Sequence, residues 1–148
     1  MKSVFNVTIA QSIVGDHEDS STVGYISTYR LLNTNSLYHA YADGDQTRRA
    51  PFIDFFQNLD NQWIHIVVVC DYSNKTIKAY RNGVQFGTTQ NLTGVPVFPS
   101  VGRVKYIGAF RTNLSRLTDG SLDEVRIYNR GLSASEIASI YNQTKGRY

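Results

Sequence analysis

The clearest period in the chain is two. Between residues 63 and 72 every even position (Ile64, Ile66, Val68, Cys70, Tyr72) is apolar or amphipathic, which directs one face of an extended strand into a core. The odd positions Trp63, His65, Val67 and Val69 are too apolar for open water, so that face is expected to lie under a helix, a loop or another subunit. Residues 23–32 and 36–42 are rich in Tyr, Val, Ile and Leu and are separated by Asn33-Thr34-Asn35. They read as the two strands of a hairpin, stopped by Asp43-Gly44-Asp45. Polar residues 71–75 lead into a strand at 76–81, Asn82-Gly83 suits a two-residue type I′ loop because both residues tolerate positive φ, and residues 84–89 return. Beyond Pro96 and Pro99, short strands are expected at 105–109 and 120–128. In the second, Val125 and Ile127 would point inward and Glu124 and Arg126 outward.

Near the C-terminus the period changes to that of a helix. Ser133 is an N-cap, Glu136 three residues on completes a capping box, and Leu132 can staple onto Ile137. Ile137, Ile140 and Tyr141 form one apolar stripe, and Gly146 is a stop. Seven or eight short strands and one short C-terminal helix predict an all-β fold, a two-sheet antiparallel sandwich, as a single domain over 1–148.

Composition narrows the class further. The chain has 13 serines, 12 threonines and 11 asparagines but only 3 glutamates, 5 lysines and 8 alanines, which excludes an all-α fold. A single cysteine, Cys70, forbids an intrachain disulfide and any thiol-built zinc cluster. No apolar run reaches the roughly 20 residues of a membrane span, and Asn6, Thr8, Gln11 and Ser12 break the opening stretch as a signal-peptide core. The net charge of +3 is concentrated late: residues 101–148 hold 8 basic and 4 acidic groups, so Arg103, Lys105, Arg111 and Arg116 form a solvated basic face or meet an anionic glycan. They lack the interleaved aromatics of a single-strand platform, so nucleic acid is not an expected partner.

The residues Trp63-x-His65, Tyr80-Arg81-Asn82-Gly83, Ile107-Gly108 and the ordered block from Gly120 through Asp123-Glu124-Val125-Arg126-Ile127-Tyr128-Asn129-Arg130-Gly131-Leu132-Ser133 to Glu136-Ile137 resemble one family. They are similar to the laminin-G-like domains of the concanavalin A-like lectin/glucanase superfamily. The resemblance implies a jelly-roll sandwich, covers about residues 63–141, and leaves some N-terminal strands of the family unaccounted for. Either the sandwich is trimmed or a neighbouring chain supplies the edge. In the block itself, Asp123 and Glu124 are expected to pair with backbone amides or with Arg126 and Arg130.

Fold alone leaves function open, so the chemistry has to come from side chains. Glycoside hydrolysis needs two carboxyl groups about 5 to 9 Å apart. The Glu-x-Asp-x-Glu spacing of the family's glucanases does not occur here, and Glu18, Glu124 and Glu136 are the only glutamates. His17, His39 and His65 have no accompanying nucleophile motif, so an enzyme is not expected. The resemblance implies calcium as a candidate cofactor. Asp16, Glu18 and Asp19 in one loop, Asp43 and Asp45 in a second and Asp119 in a third are either its ligands or solvated turns. Sugar recognition would use Tyr25, Tyr29, Tyr38 and Tyr41 with Asn33 and Asn35 on the shared turn; the same tyrosines could instead be core aromatics. By strand parity Tyr25 and Tyr29 share a face, whereas Tyr38 and Tyr41 do not. The expected function is a non-catalytic recognition module for a glycan or cell-surface polysaccharide. The alternative is a virus-particle or decoration protein that uses the sandwich for subunit contacts as an oligomer. Both favour an extracellular or virion-surface setting.

Overall fold

A computed structural model describes residues 11–15, 26–31, 34–43, 46–94, 105–109 and 117–147, the side chains of 46 and 47 excepted. Within these residues the strands are β1 (Gln11–Gly15), β2 (Ile26–Leu31), β3 (Ser36–Asp43), β4 (Gln46–Phe52), β5 (Ile66–Asp71), β6 (Thr76–Arg81), β7 (Val84–Asn91) and β8 (Tyr106–Ile107). A helix, α1 (Ala134–Thr144), follows and ends in a 3-10 turn at Lys145–Arg147. The strands make two antiparallel sheets in the orders β4-β3-β2-β1-β8 and β5-β6-β7. No helix among the described residues is long and apolar enough to cross a membrane.

The period-two pattern of β5 sorts its side chains as its sequence requires. Ile66, Val68, Cys70 and Tyr72 pack on a core built from Leu37, Tyr41, Ala50 and Phe52 of one sheet, Ile77 and Ala79 of the other, and Phe55 and Phe56 of the connecting turn. The opposite face of the same sheet carries Val67, Val69 and Tyr80. These pack on Leu132, Ile137 and Ile140, so α1 is the cover that the apolar odd positions demanded. The molecule is thus layered as sheet, sheet and helix. Each fully buried aliphatic side chain, such as Ile137, stabilises it by about 1.5–3 kcal/mol.

Local chemistry fixes the joints. Asn82 (φ 53°) and Gly83 (φ 81°) make the left-handed β6–β7 turn. Asn82 N–H donates to the His65 carbonyl at 2.9 Å while its Oδ1 accepts from His65 N–H at 3.0 Å, tying the approach of β5 to this turn. A Cβ on Gly83 would also come within 2.9 Å of the Tyr141 ring, so glycine is required by both backbone and packing. At the start of α1 the capping box is complete: Glu136 N–H donates to Ser133 Oγ, and Glu136 Oε2 accepts from Ser133 N–H at 2.8 Å. Arg130 then clamps Glu136 at 2.6 and 3.0 Å. That contact, with the Ser133 bonds second, pulls the Glu136 carboxyl down to about 2.

Three expectations are corrected. The ladder of the apolar segment starts at Ile66, because residues 63–65 run past the β6–β7 turn that Asn82 holds. Strand β4, with Arg48, Arg49 and Pro51, was not expected. Among the described residues it is the outermost strand of its sheet, where a charged, proline-bearing strand is tolerated, and it pairs back on β3 from Asp43↔Gln46 to Leu37↔Phe52. Residues 120–128 form no strand. Val125, Ile127 and Tyr128 are exposed rather than inward, Ile127 at 73%. The extended run breaks at Glu124, which has φ 52° and a carboxylate held by Arg126 and Arg147. The Asp123 carboxylate accepts from Glu124 N–H, as anticipated for this block, but Arg130 turns to Glu136 instead.

Candidate functional site

Directly opposed residues of an antiparallel ladder share a face, so the register of the five-stranded sheet gives its outer surface row by row. One row reads Ser12, Tyr29, Tyr38, Pro51; the next reads Gly15, Ser27, Ala40, Arg49; Leu31 and Ser36 form a third. Tyr29 and Tyr38 stack at 5.6 Å between ring centroids and 13° between planes. Beside them the second row carries nothing larger than a hydroxymethyl group until Arg49 at the edge. A Cβ at Gly15 would already stand 3.1 Å from Ser27 Oγ. Ser12, Ser27 and Ser36 are buried, and their hydroxyls have no hydrogen-bond partner among the described residues. Tyr29 is 5% exposed, Tyr38 is partly exposed, and Arg49 is exposed and makes no ion pair among the described residues. Tyr29, Ala40 and Ala42 form a small buried cluster on this face, with the serines buried beside them, so the groups that can meet a ligand directly are the partly exposed Tyr38 ring, which suits the C–H face of a sugar, and the exposed Arg49 cation.

The other sequence-derived candidates fall elsewhere. Tyr41 points to the opposite face and is 2% exposed in the inter-sheet core, so it does not belong with Tyr29 and Tyr38; parity in β3 separates them. Tyr25 and Asn33 lie outside the described residues. Asn35 is exposed on the β2–β3 turn, where its Oδ1 accepts from Arg30 Nη2 at 2.8 Å. Arg30 itself is buried against Phe56, and burial, partly offset by Asp60, lowers its pKa. Of the acidic loop residues, Asp43 already pairs with Arg48 at 3.4 Å and presses on Gly94, which engages it before any cation arrives; Asp119 is exposed. Asp16, Glu18, Asp19 and Asp45 lie outside the described residues, as do Arg103, Arg111 and Arg116 of the basic stretch. Among the described residues no three His, Cys, Asp or Glu side chains converge as metal ligands.

Arg49 and the serine hydroxyls were not singled out by the sequence. The signal available was parity: Ser27 and Ser36 each sit two residues from a tyrosine of the hairpin. Arg49 could be placed only once β4 was known.

On the inner face a second polar line crosses the sandwich. His39 Nδ1 is 3.0 Å from Thr28 Oγ1, and His39 Nε2 is 3.3 Å from Cys70 Sγ. With the ring hydrogen on Nδ1, the imidazole donates to Thr28 and accepts the thiol hydrogen. Burial pushes the Cys70 thiol up to about 11 and His39 down to about 4. A thiol nucleophile must be ionised, and here burial favours the opposite state, so the line is a structural bridge between sheets.

Two packed antiparallel sheets, one carrying the Tyr29–Tyr38 stack on its outer face, define a β-sandwich. The sequence matches the Laminin_G_3 family of the concanavalin A-like lectin/glucanases superfamily over residues 5–138, and the chain belongs to that family. No curated protein sequence matches the chain. Among solved structures it is similar to the Ruminococcus gnavus IT-sialidase CBM40, with a TM-score of 0.73 and 14% identity over 94% of this chain and 78% of that one. The same module bound to alpha2,3 sialyllactose gives a TM-score of 0.71, 15% identity and the same coverage. The Botulinum neurotoxin serotype D binding domain gives 0.63 and 14%, covering 94% of this chain and 32% of that one. At these identities the likeness establishes the jelly-roll fold.

Proposed function

We propose that this chain is a non-catalytic carbohydrate-binding module that receives a glycan on the outer face of its five-stranded sheet. The observation that carries the reading is the stacked Tyr29–Tyr38 pair, whose Tyr38 ring reaches solvent on the same sheet face as the exposed Arg49. Tyr38, the more exposed ring, offers the stacking surface, and the exposed Asn35 amide offers hydrogen bonds. Tyr25, which shares the sequence parity of Tyr29, and Asn33 are proposed as further ligand contacts. Arg49 extends the reading to glycans that carry a carboxylate or sulfate, since a guanidinium matches such groups bidentately. The similarity to a carbohydrate-binding module solved with a sialylated sugar supports this reading, and the neutral Cys70–His39 pair supports a non-enzymatic one.

The test is a broad glycan array probed with and without chelator. Wild type is expected to bind at least one oligosaccharide, with Tyr38→Ala about tenfold weaker. Arg49→Gln should selectively lower binding to acidic members. Silence across the array overturns the reading, and loss of signal with chelator assigns calcium to the Asp16, Glu18, Asp19, Asp43, Asp45 and Asp119 loops. The exposed Val125, Ile127 and Tyr128 favour a second reading, subunit contacts in a virus particle or other assembly. Light scattering tests it: a defined oligomer supports it, and a monomer at high concentration removes it.

A further inference from the structure

The chain contains a single Asn-Gly step, Asn82-Gly83. An asparagine followed by glycine is open to deamidation, because a residue without a Cβ lets its nitrogen approach the preceding side chain. In the fold this step is restrained from several sides. Both residues hold left-handed φ, 53° and 81°, as the two central positions of the β6–β7 turn. The Asn82 carboxamide is engaged: its Oδ1 accepts from His65 N–H at 3.0 Å, while Asn82 N–H donates to the His65 carbonyl at 2.9 Å. One ring covers both arms of this clasp. Tyr141 of α1 lies 5.8 Å from the His65 ring, and its Cδ1 would stand 2.9 Å from a Cβ on Gly83. Lys145 Nζ, one helical turn on, is 5.6 Å from the centre of the Tyr141 ring and holds it from the end of the helix.

The reaction uses water alone. The Gly83 nitrogen gives up its proton to hydroxide and bonds to Asn82 Cγ; the Cγ–Nδ2 bond breaks and ammonia leaves, closing a cyclic imide. Water then adds to one of the two imide carbonyls and breaks its bond to nitrogen. One water is exchanged for one ammonia, and nothing is oxidised or reduced. To start, Cγ must swing toward the Gly83 nitrogen, which it cannot do while His65 N–H holds Oδ1, and the flat imide does not fit the left-handed turn.

We infer that Asn82 is a deamidation site gated by the His65 clasp, converting only when the two His65 bonds and the Tyr141 cover open together. Opening of the imide at the side-chain carbonyl leaves aspartate, whose carboxylate still accepts from His65 N–H, so the turn survives. Opening at the main-chain carbonyl leaves isoaspartate, which adds a carbon to the backbone of a two-residue loop and breaks the clasp. The modification therefore acts on the seam between β5, the β6–β7 turn and α1.

The experiment incubates the intact chain at mildly alkaline pH, folded and in concentrated urea. Residue 82 is followed by peptide mass mapping, with isoaspartyl methyltransferase labelling to separate the two products. Conversion in urea should concentrate at Asn82, since no other asparagine precedes glycine. In the folded chain it should be roughly tenfold slower or more, and its rate should climb only shallowly with urea below the unfolding transition, as local opening does. Tyr141→Ala, which uncovers the clasp without touching the reacting atoms, should speed the folded-state reaction about fivefold. Asn82→Asp should keep the wild-type urea midpoint, whereas the isolated isoaspartate form should unfold at lower urea. Equal rates in the folded and unfolded chain, no conversion of the folded chain at any urea concentration below the transition, or an unchanged rate in Tyr141→Ala overturns the gate. So does a rate that follows the full urea slope of global unfolding, a readout on the wild-type chain that decides the matter if Tyr141→Ala does not fold.

Discussion

His39 shows how one buried side chain sets a property of the whole protein. Folding holds it neutral with a pKa of about 4, against 6.5 when exposed, and desolvation is the cause. The unfolded chain therefore binds a proton that the folded chain refuses as pH falls below 6.5. Stability is fully present above that value and drains away as pH drops toward 4. Between pH 7 and pH 5, His39 should remove about 2 kcal/mol, with His65, also lowered by burial and by Arg126, adding in the same direction. Urea midpoints at the two pH values check this, and His39→Gln should flatten the difference. Cys70 behaves oppositely. Its raised pKa predicts that alkylation at pH 8 is at least tenfold slower in the folded than in the unfolded chain.

At the scale of elements, what the sequence could show depended on whether local chemistry or tertiary position made the decision. The β6–β7 hairpin and the cap of α1 are local: Asn82-Gly83 and Ser133-x-x-Glu136 specify them, and both form as read. Gly83→Ala should cost about 1–2 kcal/mol, because the left-handed φ and the Tyr141 ring both oppose a Cβ. Ser133→Ala should cost about 1 kcal/mol through the lost cap, each read as a shift in denaturant midpoint. Strand β4 and residues 120–128 are decided at a distance. The first is recruited by the edge of β3 despite Arg48, Arg49 and Pro51, while the second has a strand's alternation but no partner ladder. The candidate site divides the same way. Parity could pair Tyr25 with Tyr29, but it takes the register of β2 on β3 to bring Tyr29 onto Tyr38 and to send Tyr41 into the core.

Taken as a whole, the molecule divides its labour by layer. The inter-sheet core and the α1 layer supply stability, and Ile137→Ala, which empties the centre of the helix layer, should cost about 2–5 kcal/mol. The outer face of the five-stranded sheet, where Tyr29, Ala40 and Ala42 form a small buried cluster of their own and Tyr38 and Arg49 reach solvent, is the surface on which glycan recognition is proposed. The most direct test is to titrate the strongest array ligand into isotope-labelled protein and map the perturbed amides. The account predicts shifts clustered on β2, β3 and β4, at Ser27, Tyr29, Tyr38, Ala40 and Arg49, with a midpoint about tenfold higher in Tyr38→Ala. Shifts confined to β5 and residues 122–130, with the tyrosine rows unmoved, would contradict it.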